Sequence, residues 1–77
     1  MDTTRYFREQ VLARRSYLRL DWIEQVLLHP EHHELQPDGR VRFWGYIPEL
    51  TRYLRVVTLA DRRTVHNAFP DRGFGRF

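Results

Sequence analysis

The apolar residues of this chain change their period at Pro30, and that change limits the fold more than any other feature. Before it, Tyr6, Phe7, Val11 and Leu12 recur at helical spacing, and so do Trp22, Ile23, Val26 and Leu27. After it, short β-branched and aromatic runs are separated by turn-forming residues. Proline enforces the switch because it restricts the residue before it and has no N–H to continue a helix. Helices first and strands afterwards, with short links, imply an α+β domain. Its helices then cover one face of an antiparallel sheet and leave the other face open.

The spacing predicts a first helix over residues 3–15, capped by Thr3 or Thr4 and flanked by Arg5, Arg8, Arg14 and Arg15. Ser16 and Tyr17 break it. A second helix follows from Leu20 to Leu28, entered through Leu18, with Glu24 and Gln25 turned away from its apolar face. The first strand is expected at His33 to Gln36. Pro37-Asp38-Gly39 then makes a turn, because proline fixes φ and glycine accepts a positive one. Further strands are expected at Arg40 to Ile47, Tyr53 to Leu59 and Thr64 to Phe69, with Pro70 ending the last. Residues 71–77 form a tail containing glycine and aromatics. The expected fold is therefore two N-terminal helices packed on a four-stranded antiparallel β-meander, one domain over residues 1–77.

With 77 residues, the core is thin; a domain of this size buries only about 60% of the surface its unfolded chain exposes. The absence of cysteine excludes a disulfide framework and a thiolate zinc site. No apolar run approaches the roughly 18 residues of a membrane span, and Met1 to Arg5 lack a signal-peptide core. The expectation is a cytoplasmic chain with no membrane partner and no cofactor. All 13 basic residues are Arg, against 10 acidic ones, giving a charge of +3 and a pI near 10.0. Arg suits bidentate phosphate recognition and stacking on bases, which makes nucleic acid a candidate partner. Arg without Lys also follows from a GC-rich coding sequence.

Three groups of residues carry chemistry. His29, His32 and His33, beside Glu31 and Glu34, have the donor types of a metal site but match no zinc spacing, and a solvated loop explains them equally. Arg42, Trp44 and Tyr46 alternate with Val41, Phe43 and Gly45, so they share the open face if the latter meet the helices. There they can stack bases and grip phosphate. Alternatively, Trp44 and Tyr46 pack against the tail with Phe69, Phe74 and Phe77. The third group is His66, Arg55 and Arg72, supported by Asn67 and Asp71. Metal-free RNA cleavage needs a general base or acid, which His66 can supply. It also needs cations on the phosphorane, which Arg55 and Arg72 can supply. The competing reading is a structural network, with Asp71 paired to Arg72 and His66 bonded to backbone.

The order of segments from Trp22-Ile23-Glu24 through Gln36-Pro37-Asp38-Gly39-Arg40, Trp44, Ile47-Pro48-Glu49 and Tyr53-Leu54-Arg55-Val56-Val57 to Thr64-Val65-His66-Asn67-Ala68-Phe69 and Asp71-Arg72 covers roughly residues 17–74. It resembles a family of small bacterial proteins that looks like a distant relative of the RelE/ParE-like and BrnT-like type II toxins. The resemblance implies two helices followed by a curved antiparallel sheet. It also implies a toxin, or a descendant of one; such toxins commonly cut messenger RNA, often on the ribosome, and are neutralised by a partner antitoxin protein, while other members of the superfamily act on gyrase. Relatives use Arg and His from the sheet as reactive groups, which carries over to Arg55 and His66. The functional expectation is a toxin-like endoribonuclease or RNA-binding module. The alternative is a non-enzymatic protein-interaction domain that uses the aromatic sheet face.

Overall fold

Turn chemistry organises the strands. The Gln36 carbonyl accepts the Gly39 N–H at 3.0 Å, Gly39 takes φ 90°, and the Asp38 carboxylate accepts the Arg40 N–H at 3.0 Å. At the last turn, the Asp61 carboxylate accepts the N–H groups of Arg63 and Thr64, both at 2.9 Å. Arg62 occupies the left-handed region there, at φ 61°. These Asx-type bonds satisfy backbone donors that a tight reversal would leave unpaired.

The computed structural model describes residues 1–74. Five strands form one sheet: β1 (Asp2–Thr3), β2 (His32–Leu35), β3 (Val41–Ile47), β4 (Arg52–Thr58) and β5 (Thr64–Asp71). Their spatial order is β1-β5-β4-β3-β2. β2 to β5 pair antiparallel, whereas β1 runs parallel to β5, with Asp2 opposite Thr64 and Thr3 opposite Val65. One α-helix, α1 (Leu20–Leu28), and a π-helix (Phe7–Leu12) within a helical run over residues 5–14 complete the architecture.

The α+β class therefore holds, but two helices on a four-stranded antiparallel meander must be corrected to few helices and a five-stranded mixed sheet. Thr3 was expected to begin the first helix or cap it, and no strand was expected at Asp2–Thr3. Instead they extend along β5, and the Thr4 N–H is donated to the Val65 carbonyl at 2.9 Å. Thr4 starts the helical run: its Oγ1 accepts the Phe7 N–H at 3.1 Å. β5 also runs past Pro70, which was expected to end it. β1 covers only Thr64 and Val65, so Pro70 sits at an edge where a missing N–H interrupts no ladder bond.

The core lies between the helical segments and one face of the sheet. Phe7, Ile23, Val26, Leu54, Val56 and Val65 are essentially fully buried. Tyr6, counted with the apolar stripe in the sequence, is half exposed. In the π-helical register Phe7 and Val11 are the buried residues of that segment, and Leu12 packs against the core from its margin. α1 approaches β3 where the strand has no side chain. A Cβ on Gly45 would stand 3.0 Å from Val26 Cγ2 and 3.5 Å from Val26 Cα. Gly45→Val is expected to destabilise the fold by about 1–3 kcal/mol through overpacking, read as a lower urea midpoint at unchanged slope.

No helix among the described residues is long and apolar enough to cross a membrane.

Candidate functional site

Strand register arranges the face away from α1 in rows. Trp44, Arg55 and Phe69 stand side by side on β3, β4 and β5, and Tyr46, Tyr53 and Asp71 form the next row. Residues directly opposite one another share a face, so each row is a set of touching side chains.

Asp71 binds the two rows together. Its Oδ2 accepts from Trp44 Nε1 at 3.0 Å and from Arg55 Nε and Nη2 at 3.1 and 2.8 Å. Its Oδ1 accepts the Gly73 N–H at 3.0 Å. The Arg55 guanidinium lies 4.8 Å from the Phe69 ring centre and 5.5 Å from that of Trp44. Burial opposes ionisation of Asp71. The hydrogen bonds from Trp44, Arg55 and Gly73 and the positive charge of Arg55 outweigh it, so the carboxyl sits below its ordinary value. Asp71 therefore pairs with Arg55, not with Arg72 as the structural alternative had it.

Trp44 is not open. Phe74 stacks on it at 4.8 Å with an interplanar angle of 11°, and only 3% of Trp44 is exposed. Phe74 also meets Tyr53 edge-on at 4.9 Å and His32 at 5.6 Å. The expected trio Arg42, Trp44 and Tyr46 does share one face, but it does not form one accessible surface. Arg42 is turned to the β2 side. There the Gln36 amide, set with its oxygen toward the guanidinium, accepts from Nε and Nη2 at 2.6 and 2.8 Å. Glu34 stands 3.8 Å from Arg42 Nη1. Tyr46 alone of the three is exposed, at 42%. The tail contact expected for Trp44 is made by Phe74; Phe77 lies outside the described residues.

Beside this cluster is a concavity of ≈ 320 Å³, lined by Tyr46, Thr51, Arg52, Tyr53, Asp71, Arg72 and Phe74. Arg52 and Arg72 line it and form no ion pair among the described residues. Glu31 braces its aromatic wall, accepting from Tyr53 Oη at 3.2 Å and from the Tyr46 N–H at 2.9 Å. The negative charge of Glu31 holds the Tyr53 phenol above its ordinary value, so it stays a neutral donor.

His66 belongs to another neighbourhood. Val65 and Ala68 are both fully buried, yet two residues separate them rather than one, because a β-bulge falls here. His66 Nδ1 lies 3.1 Å from Thr4 Oγ1, and the imidazole stacks on Tyr6 at 4.9 Å. Thr4 Oγ1 also accepts the Phe7 N–H, so one hydroxyl links the imidazole to the start of the helical run. Burial, then the charge of Arg40, lowers the pKa of His66 below its ordinary 6.5, with Asp38 opposing. Arg55 faces Phe69, three residues farther along β5, which is roughly 10 Å at strand rise. The structure thus does not bring His66, Arg55 and Arg72 onto one point. Asn67 accepts from Arg15 Nη1 at 3.1 Å and so ties the helical segment to β5.

The histidine-rich stretch is divided by the pleat. His32 lies tilted against Trp44 and Phe74 on one face, and His33 stacks on Phe43 on the other. Among the described residues no group of three or more His, Asp or Glu is placed to hold a metal ion.

Sequence reasoning missed Tyr53, Arg52 and Arg15. Alternation along β4 carried the signal for Tyr53, since it shares a face with Arg55 two positions on. Arg15 carried none, because its partners lie 52 and 53 residues away. No family model matches the chain, and no curated protein or solved structure matches it either.

Asp71 and His66 both have lowered folded-state pKa values. Each therefore contributes stability that is complete above its unfolded value and lost as pH falls through the folded one. For His66 the loss begins below pH 6.5; for Asp71 it begins in the ordinary carboxylate range. Asp71→Asn is expected to lower stability at pH 7 by about 1–3 kcal/mol, because Arg55 loses its counter-charge in a half-buried site. It is also expected to flatten the acid limb of the stability curve. Thermal unfolding from pH 7 to pH 3 measures both effects.

Proposed function

We propose that this chain is a single-stranded RNA-binding module whose site is the concavity at the β3–β4–β5 end of the open sheet face. The observation that carries this reading is the pairing of an aromatic wall, exposed Tyr46 with half-buried Tyr53, with two arginines, Arg52 and Arg72, that form no ion pair among the described residues. Aromatic side chains on a sheet stack unpaired bases, and guanidinium groups beside them hold the phosphates between those bases. The net charge of +3 favours the encounter.

The reading stops at binding. Cleavage would require a base and a cation on the same phosphate. His66 is engaged by Thr4 and Tyr6, and Arg55 is neutralised by Asp71. Arg72 remains with the concavity as a phosphate ligand, and Trp44 and Arg55 support its wall from beneath.

Fluorescence anisotropy with a labelled uridine-rich oligonucleotide tests this. With two phosphates engaged, the logarithm of affinity is expected to fall with the logarithm of salt concentration with a slope of about −1.4. Arg72→Ala is expected to reduce that slope by about 0.7. Tyr46→Ala is expected to weaken binding by about 1–3 kcal/mol through loss of one stacking partner. Absence of binding, or salt-independent binding unchanged in both variants, contradicts the reading.

A further inference from the structure

A second cationic groove lies against the N-terminal helical segment, away from the aromatic concavity. It has a volume of ≈ 230 Å³ and is lined by Tyr6, Gln10, Val11, Arg14 and Arg15. The spacing of these residues follows the π-helix. In i→i+5 winding, residues four and five apart fall on one face, so Tyr6, Gln10 or Val11, and Arg14 or Arg15 form a continuous row. Along this segment two arginines, a tyrosine and an amide come to line one groove. Among the described residues no carboxylate lines this groove.

The two arginines differ from Arg55 in one decisive respect. Arg55 is held by a carboxylate, and its charge is cancelled. Arg15 is held by neutral oxygens instead: its Nη1 donates to Asn67 Oδ1 at 3.1 Å and to the Ala68 carbonyl at 3.2 Å. The Phe69 ring lies 5.8 Å from its guanidinium carbon. These contacts fix the side chain without neutralising it. Arg14 is exposed and forms no ion pair among the described residues. A fixed, uncancelled guanidinium beside a second one is arranged for a doubly charged oxyanion, because ordering has been completed before the ligand arrives.

We propose that the groove of Tyr6, Gln10, Arg14 and Arg15 is a phosphate-binding site. Arg15 is its positioned donor, Arg14 supplies the second positive charge, and Gln10 and Tyr6 offer neutral donors. The phosphate belongs either to a bound RNA strand or to a free phosphate ion, and both present the same oxygens to the guanidinium groups.

Titration of the 15N-labelled chain with inorganic phosphate, followed by amide shifts, tests the site. Saturable shifts are expected at Tyr6, Gln10, Arg14 and Arg15. Arg14→Ala removes an exposed side chain and leaves the Asn67 tie intact; it is expected to weaken phosphate about tenfold, the worth of one charge-assisted hydrogen bond. Arg15→Lys keeps the charge but loses the planar fork, and is expected to weaken it comparably. Arg63→Ala, an exposed side chain in the turn before β5 and outside both concavities, is expected to leave phosphate binding at these amides unchanged. No saturable shift at these amides, or shifts equal in wild type and Arg14→Ala, overturns the proposal. An RNA arm separates the sources. If Arg14→Ala also reduces the salt slope for the oligonucleotide, the strand supplies the phosphate; if it does not, the site takes the free ion. Saturation by phosphate without any RNA binding sustains this groove while overturning the RNA reading, so the two fail separately.

Discussion

The Asp71 carboxylate is the interaction on which the open face depends. A single side chain takes hydrogen bonds from β3 through Trp44, from β4 through Arg55, and from the segment after β5 through Gly73. A small domain has little apolar area with which to hold a sheet face in order. A charge-assisted network substitutes for that area, and its members are worth more together than a sum of pairs. Because the chain is held at Asp71, Phe74 lies over Trp44, and because Phe74 lies there, the concavity has a wall.

The acceptors around each guanidinium separate the arginines into kinds. Arg55 is structural: paired, ringed by Phe69 and Trp44, and electrically cancelled. Arg42 is drawn to the β2 edge by Gln36 and Glu34. Among the described residues Arg52, Arg72, Arg14 and Arg15 form no ion pair and line two concave places where aromatic rings accompany them; Arg8, Arg62 and Arg63 form none either but lie outside those places. A basic composition alone does not make this distinction. The identity of each acceptor, carboxylate or neutral oxygen, decides which charges remain for a ligand.

Local chemistry made α1, the Pro37-Asp38-Gly39 turn and the central strands legible. Pro30 closes the helix, Gly39 needs its positive φ, and Tyr53 to Leu59 is β-branched. β1 was not legible, since two residues pairing with a strand 62 positions away leave no periodic trace. The π-helix was hidden because Phe7 and Val11 are four apart, a spacing that an α-helix explains as well. The alternation of Arg42, Trp44 and Tyr46 correctly gave their face, but alternation is blind to what covers a face, and Phe74 covers Trp44. His66 was misjudged for a related reason: a bulge adds a residue without a sequence mark, and Thr4, its partner, is remote in the chain.

Mapping the contact of an unlabelled RNA tetranucleotide by amide chemical shifts tests the central claim most directly. The account expects shifts concentrated at Tyr46, Arg52, Tyr53 and Arg72, with the α1 face silent. Shifts confined to α1, or none at the concavity under conditions where the strand binds, would contradict it.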